Sequence, residues 1–151
     1  MNASQPWLAK FKVEDLMSRD LQCLSLSDQL RLWDQSASWR RFRHLPVTDE
    51  AGKLLGLVSH RDVMNRVASA VLNPQKRESL EKFQAIPVHE VMLKNVETIN
   101  PHTGLIEAAH KMFENQMGAL PVIDDEGTLL GILTEADFVE LVHFGEDTFK
   151  D

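Results

Sequence analysis

The sequence predicts an α+β (α/β) fold made of two β-α-β-β-α repeats related by a pseudo-twofold axis. Three observations predict it: an internal repeat, a fixed order of hydrophobic periodicities within each copy, and a composition typical of soluble globular proteins. The 151 residues are 43% apolar and 26% charged. A chain of this size can bury enough apolar surface to fold stably without metal or disulfide crosslinks. Its single cysteine, Cys23, fits a reducing compartment.

The internal repeat is an 18-residue segment that occurs at 45–62 and again, 75 residues later, at 120–137. Nine of the 18 positions are identical, where ordinary residue usage gives roughly one by chance. The same offset aligns Val13 with Val88 and Met17 with Met92. We therefore expect an amino-terminal segment 1–12, a first repeat 13–72, a linker 73–87, a second repeat 88–145 and a tail 146–151.

The first half of each repeat is expected to hold a short strand followed by a helix. The strands are predicted at Gln22–Leu26 and Val96–Ile99, from their short apolar runs. The second helix is predicted after Pro101, with Thr103 as its cap. The apolar residues at one-face helical spacing are Leu30, Trp33, Ala37 and Phe42 in the first copy and Leu105, Ala108, Ala109, Met112 and Phe113 in the second.

The second half of each repeat is predicted to be a hairpin and a helix. Its turns are Asp49–Gly52 and Asp124–Gly127, where aspartate opens the turn and glycine supplies a positive φ. Helices are expected from His60 to about Ala70 and from Glu135 to about His143. The linker, interrupted by Pro74, is predicted to hold some helix between Lys76 and Phe83.

Two motifs of equal spacing, Ser59-x-x-Asp62 and Thr134-x-x-Asp137, lie where a strand ends and a helix begins. The hydroxyl and the free N–H groups of a first helical turn can bind a phosphate, and the aspartate can accept the two hydroxyl protons of a ribose. Ser or Thr followed three residues later by an acidic residue also forms a capping box, which needs no ligand. Both interpretations remain open.

The repeated pattern resembles the cystathionine β-synthase (CBS) domain, and two copies in tandem resemble a Bateman module. The residues that carry the resemblance are Leu-Pro-Val-x-Asp, the Asp-to-Gly turn, the run Leu-Leu-Gly-apolar-apolar-Ser/Thr-x-x-Asp, and a leading Val-x-x-x-Met. They span about Val13 to His143. In that family, clefts between paired domains commonly hold AMP, ADP, ATP, S-adenosylmethionine or sometimes a dinucleotide.

The resemblance also implies individual ligand positions. It places ribose and phosphate contacts at both Ser/Thr-x-x-Asp motifs, a nucleoside contact at Thr98, and basic side chains for phosphates at Arg43 and His44. A pocket in this fold draws on both repeats, so the sequence does not assign Thr98 to Asp62 or to Asp137. The planar guanidinium of Arg61 is suited to bind phosphate as well, although the three basic residues also fit a solvated surface. The expected ligand-binding residues are Arg43, His44, Pro46, Ser59, Arg61, Asp62, Thr98, Ile99, Ala119, Leu120, Pro121, Thr134 and Asp137.

The two repeats differ at several of these positions. Thr98 corresponds to Cys23, a weaker hydrogen-bonding group, and Arg43-His44 corresponds to Gly118-Ala119. Arg61 corresponds to Ala136. The sequence therefore predicts an asymmetric module with one phosphate-rich side.

We expect a stand-alone regulatory module that binds an adenosine-containing ligand in the cleft between the repeats and signals through an oligomer or partner interface. The alternative is a protein-interaction scaffold with a degenerate, non-binding pocket. No catalytic motif or metal-ligand spacing is found, so we expect no enzyme activity, no metal and no required cofactor. The family commonly dimerises, which implies a homodimer; the apolar residues considered for its contact are Val63, Val67, Val71, Phe138, Val139 and Val142.

The expected partners are the adenosine ligand, a second copy and an unidentified protein. The net charge of −7 opposes broad attraction to nucleic acid, and Trp39 to Arg43 more plausibly bury aromatic rings on a helix than stack bases. No apolar run approaches the roughly 18 residues of a membrane span. A cytoplasmic protein is expected.

Overall fold

The computed structural model describes residues 7–31, 43–73, 75 and 85–149. The chain forms two compact units. Unit I is Gln22–Val96, and unit II joins Met1–Leu21 to Glu97–Asp151. The elements of unit I are β1 (Gln29–Arg31), β2 (His44–Thr48), β3 (Leu54–Ser59), α2 (His60–Leu72), β4 (Ala85–Pro87) and α3 (Val88–Val91). Those of unit II are a 3₁₀ helix (Leu8–Lys10), α1 (Val13–Leu16), α4 (Leu105–Glu114), β5 (Ala119–Ile123), β6 (Leu129–Thr134), α5 (Glu135–Phe144) and a 3₁₀ helix (Gly145–Phe149).

Each unit contains an antiparallel hairpin of the same register. β2 pairs with β3 so that His44 lies opposite Ser59, and β5 pairs with β6 so that Ala119 lies opposite Thr134. Both predicted turns are confirmed: Gly52 has φ 79° and Gly127 has φ 85°. The side chains of Asp49 and Asp124 each accept two backbone N–H bonds of 2.9 Å within the turn. The mixture of helices and antiparallel strands confirms the α+β class.

Each hairpin leads directly into the predicted helix, and apolar residues of both pack in a core. In unit II, Leu141 of α5 shares a core with Leu120 and Leu133 of the hairpin, and α4 adds Leu105, Ala108 and Met112. In unit I the core is formed by Leu30, Val47, Val58, Val63, Ile86 and Val88. Burial of the apolar faces on both sides of each hairpin stabilises the two units.

The leading Val-x-x-x-Met segment of each sequence repeat packs in the unit that holds the other repeat's hairpin. Val13 is fully buried in the core of unit II and Val88 in that of unit I. A Cβ at Gly131 would lie 2.6 Å from Met17 Sδ, and one at Gly56 would lie 2.7 Å from the Leu93 carbonyl oxygen. The leading segments approach the hairpins so closely that only glycine fits at Gly56 and Gly131. Each compact unit therefore combines the hairpin of one sequence repeat with the leading segment of the other.

Four local predictions need correction. The predicted strands Gln22–Leu26 and Val96–Ile99 are reduced to single parallel bridges, Leu24 to Val47 and Ile99 to Val122. Leu30 lies in β1 rather than in a helix, because residues 85–87, which were predicted to belong to the linker, form the strand β4 that pairs with it. Gly104, rather than Thr103, is at the N-cap of α4, since the Thr103 carbonyl accepts a bond of 2.8 Å from the Val13 amide.

The fourth correction concerns Phe113, predicted on the buried face of α4. Its side chain is 84% exposed, because the buried positions of the helix are limited to Leu105, Ala108 and Met112. The predicted helices at 32–42 and 76–83 lie outside the described residues. Within the described part of the chain, no helix is long and apolar enough to cross a membrane.

Candidate functional site

In unit II, three chain segments bring polar residues to one edge of a small sheet. Ile99 bridges to Val122 in parallel, so Thr98 lies toward the start of β5. The hairpin register places Thr134, the last residue of β6, opposite Ala119, the first residue of β5. Ala119 and Thr134 therefore lie at the edge at which α5 begins, and Thr98 lies on the side of Ile99 that is nearer to this edge. We call this the unit II edge.

The Thr134-x-x-Asp137 motif forms a compact hydrogen-bonded group at this edge. Asp137 Oδ2 accepts from the Thr134 amide at 2.7 Å and from the Thr134 hydroxyl at 3.1 Å. Burial raises the pKa of the Asp137 carboxyl; the bonds from Thr134 act in the opposite direction, and nearby Glu140 adds to the increase. The carboxylate is thus partly desolvated and aimed back at the end of β6.

The equivalent group in unit I is Ser59-x-x-Asp62, at the edge where β3 ends and α2 begins. The Ser59 hydroxyl donates to Asp62 Oδ2 at 2.5 Å and accepts from the Asp62 amide at 3.1 Å. The Ser59 amide also donates to Asp62 Oδ2, at 3.4 Å. These reciprocal bonds form a capping box, so the structural interpretation of the motif is confirmed.

Both carboxylates retain an acceptor for a further partner. Among the described residues, every hydrogen bond to the two side chains falls on Oδ2. An ionised carboxylate has about four lone-pair directions, so Oδ1 of Asp62 and of Asp137 can still accept a hydroxyl proton. Capping and ligand binding are therefore chemically compatible at the same residue.

Basic residues distinguish the unit I edge from the unit II edge. His44 lies opposite Ser59 in the hairpin register, and the Arg43 carbonyl accepts from the His60 amide at 2.9 Å. The side chains of Arg43 and Arg61 are exposed, and that of His44 is half-buried. The three predicted basic residues thus lie beside Ser59 and Asp62, whereas Gly118, Ala119 and Ala136 hold the matching positions of unit II.

Five of the predicted positions have buried side chains. Ile99 and Ala119 are 6% and 2% exposed, and their apolar side chains pack inside the units. The Ile99 amide donates to the Pro121 carbonyl at 3.0 Å. A ligand can therefore contact such residues only through their backbone atoms and the few side-chain atoms that remain accessible. The five residues are Pro46, Ile99, Ala119, Leu120 and Pro121.

Cys23, the counterpart of Thr98, has an exposed thiol. Desolvation by neighbouring atoms raises the pKa of this thiol, and a hydrogen bond with the Thr48 side chain acts in the opposite direction. At neutral pH the group is therefore a neutral, weak donor. The unit I edge lacks the stronger hydroxyl that Thr98 supplies in unit II.

Lys111 and Glu97 are not among the residues predicted from the sequence. Lys111 Nζ donates to the Thr98 carbonyl at 2.8 Å and lies 3.0 Å from Glu97 Oε2. The 75-residue offset places Ser36 and Gln22 at the matching positions of the first repeat, so the duplicated pattern does not mark this pair. Within the described residues, no group of three or more His, Cys, Asp or Glu side chains could hold a metal ion.

Similarity to known proteins identifies the family of this chain. The CBS domain family matches residues 13–69 and 88–143. A CBS domain-containing protein of Dictyostelium discoideum is 32% identical over 133 residues, which cover 88% of this chain and 92% of that protein. The chain therefore belongs to the CBS domain family and carries two CBS domains in tandem.

Solved structures share this fold. A putative acetoin utilization protein (AcuB) from Vibrio cholerae is 33% identical with a TM-score of 0.70, covering 91% of this chain and 96% of that one. CBSX2, solved in complex with AMP, is 25% identical with a TM-score of 0.69, covering 88% of this chain and 96% of that one.

A homoserine O-acetyltransferase of Methanohalobium evestigatum is also similar, at 29% identity over 140 residues, but the match covers only 25% of that enzyme. The similarity therefore lies in a minor part of that protein's length.

Proposed function

We propose that this chain is a regulatory module that binds an adenosine-containing ligand of the AMP, ADP and ATP class, or S-adenosylmethionine. The observation that carries the proposal is the repeated Ser/Thr-x-x-Asp group, in which each carboxylate keeps one oxygen available at a strand–helix junction. The AMP complex of CBSX2 supports the choice of ligand class.

The residues of each edge have distinct roles in this proposal. Asp62 and Asp137 accept the hydroxyl protons of a ribose through Oδ1. Ser59 and Thr134, with the N–H groups of the helix that follows, bind phosphate, since the N-terminus of a helix favours an anion. Thr98 contacts the nucleoside in unit II. In unit I, Arg43, His44 and Arg61 supply positive charge for additional phosphates.

A thermal-shift panel followed by calorimetry tests the proposal. AMP, ADP, ATP, S-adenosylmethionine and NAD are added to the protein, and ligand at about 100 times its Kd is expected to raise the unfolding free energy by about 2.7 kcal/mol. Asp62→Ala and Asp137→Ala should each remove binding at their own edge. Glu135→Ala is the matched control, because Glu135 is an exposed acidic residue in the same first turn as Asp137.

A protein-interaction scaffold is the second candidate function. The observation that favours it is the capping box itself, which satisfies backbone N–H groups at the start of α2 without any ligand. In that case none of the five compounds shifts the unfolding temperature. Asp62→Ala and Asp137→Ala would then change only helix capping, by about 1 kcal/mol. We expect no turnover of ATP under either proposal.

We propose that the ligand signal leaves the module through a homodimer or a protein partner. Val139 and Val142 of α5 support this, because their side chains are 69% and 82% exposed. Val63 does not contribute, since it is 7% exposed and belongs to the core of unit I. Val67 and Phe138 are half-buried, and the Val71 side chain lies outside the described residues.

Size-exclusion chromatography with light scattering tests the homodimer. It should give twice the chain mass, and a monomer at micromolar concentration would exclude the homodimer.

A further inference from the structure

The peptide group between Thr98 and Ile99 is held at both of its polar atoms. Its N–H, from Ile99, donates to the Pro121 carbonyl at 3.0 Å. Its carbonyl, from Thr98, accepts from Lys111 Nζ at 2.8 Å. Two opposed bonds of this kind fix the orientation of the peptide plane. The backbone that carries the Thr98 side chain is therefore fixed at its carboxyl end.

Sheet pairing alone does not hold Thr98. The parallel bridge begins at Ile99, whose carbonyl also accepts from the Ile123 amide at 3.0 Å. Thr98, one residue earlier, is not assigned to a strand. Lys111 supplies the bond that sheet pairing does not provide.

Lys111 projects from a firmly anchored helix. Ala108 and Met112, on either side of it along α4, are 0% and 5% exposed and share a core with Ile99. The Lys111 side chain is one-third exposed and pairs with Glu97 at 3.0 Å. Because hydrogen bonds from an ionised donor are stronger than neutral ones, this ammonium can hold the Thr98 carbonyl in one place.

The residue types that form this arrangement differ between the two repeats. The 75-residue offset places Gln22, Cys23 and Ser36 where the second repeat has Glu97, Thr98 and Lys111. The threonine hydroxyl and the lysine beside it therefore occur together and are absent together. We propose that Lys111 is a positioning residue that orients Thr98 toward the nucleoside at the unit II edge, an inference that rests on the function proposed above.

Substitution of Lys111 tests the inference through two measurements. Lys111→Met should weaken AMP binding at the unit II edge by about fivefold, because the ligand must then order the Thr98 segment itself. The affinity is measured by calorimetry in an Asp62→Ala background, which isolates this edge. Hydrogen exchange of the Ile99 amide, measured without ligand, should become faster, since this N–H belongs to the peptide group that Lys111 holds.

Two further variants separate positioning from general effects of charge and stability. Lys111→Arg retains a cationic donor and should restore most of the AMP affinity and slow the Ile99 exchange again. Lys94→Met removes the same charge from an exposed position of unit I and should change neither measurement. If Lys111 only stabilised the fold, Lys111→Met would lower the unfolding temperature. Lys111→Arg would then show neither slower Ile99 exchange nor tighter AMP binding than Lys111→Met, and this result would contradict the positioning role.

The outcomes distinguish this inference from the proposed function. Unchanged AMP affinity in Lys111→Met, with binding lost in Asp137→Ala, overturns the role of Lys111 and leaves the function standing. If the wild-type protein binds none of the five compounds, the proposed function fails. The role toward a nucleoside fails with it, and faster Ile99 exchange in Lys111→Met would then show only that Lys111 fixes the Thr98 segment.

Discussion

The unit I and unit II edges share a hydrogen-bonded frame and differ in what surrounds it. Both place a hydroxyl and a carboxylate three residues apart at the start of a helix. Unit I adds Arg43, His44 and Arg61, whereas unit II adds Thr98 with Lys111 behind it. The shared hydroxyl and carboxylate cap the backbone N–H groups of the first helical turn in both units. The surrounding residues take no part in this capping and can differ. The duplicated motif therefore meets the same backbone requirement in both units, while the residues around it differ in charge and in hydrogen-bonding groups.

The largest expected effect is a loss of stability when alanine replaces the repeated glycine of each hairpin. Comparing the two variants shows whether both hairpins need glycine equally. At Gly56 a new Cβ would lie 2.7 Å from a backbone oxygen, which cannot move easily. At Gly131 the nearest atom, at 2.6 Å, is the flexible Met17 Sδ, although the Ser18 carbonyl lies at 2.9 Å. Gly56→Ala should therefore destabilise the protein by about 2–3 kcal/mol and Gly131→Ala by about 1–2 kcal/mol.

Urea unfolding followed by circular dichroism measures this difference. Gly104→Ala is the control, because a Cβ there meets no atom within 4 Å, and its cost should stay below about 1 kcal/mol as an N-cap change. Equal stability of Gly56→Ala and the wild-type protein would contradict the close packing of the leading segment.

The next effect tests whether unit I prefers ligands with more phosphates. The double variant Arg43→Ala, Arg61→Ala removes two exposed guanidinium groups beside Ser59. In an Asp137→Ala background, which isolates the unit I edge, it should weaken ATP binding by about tenfold and AMP binding by less, because each charge-assisted bond to phosphate contributes more than a neutral one. Calorimetry at two salt concentrations measures it; an equal loss for both nucleotides would indicate that these arginines do not contact the additional phosphates.

The smallest effect concerns pH at the unit II edge. In the proposed function, ribose hydroxyls donate to the ionised form of Asp137, whose pKa is raised mainly by burial. AMP affinity measured in an Asp62→Ala background should therefore fall by a few fold between about pH 7 and about pH 5. Asp137→Asn, which cannot ionise, should show weak binding and only the pH dependence that titration of the AMP phosphate itself produces. A flat pH profile for the parent protein would contradict the role of the carboxylate.

The stability of unit II should change with pH in the opposite direction. A raised pKa means that folded Asp137 holds its proton more tightly than the unfolded chain does. Its contribution to stability is present below the ordinary aspartate pKa and is lost as the pH rises through the raised value. Unfolding by urea across the same pH range, compared with Asp137→Asn, measures this contribution.

The sequence by itself determined the elements that depend on local chemistry. Asp49 and Gly52, like Asp124 and Gly127, form their turns because an aspartate oxygen accepts nearby N–H groups and glycine adopts positive φ without strain. The same holds for the capping group of Ser59 and Asp62, which spans one helical turn. These contacts join residues within four positions of one another, so a pattern in the sequence is enough to predict them.

Only the tertiary structure decided the contacts between distant segments. It pairs Leu30 with Ile86 in a sheet rather than a helix and packs Met17 against Gly131 of the other repeat. It also brings Lys111 to the Thr98 carbonyl, 13 residues away. Such contacts depend on how helices and hairpins pack around a shared core, and a lysine on a helix surface has the same local sequence signature whether or not a carbonyl lies within its reach.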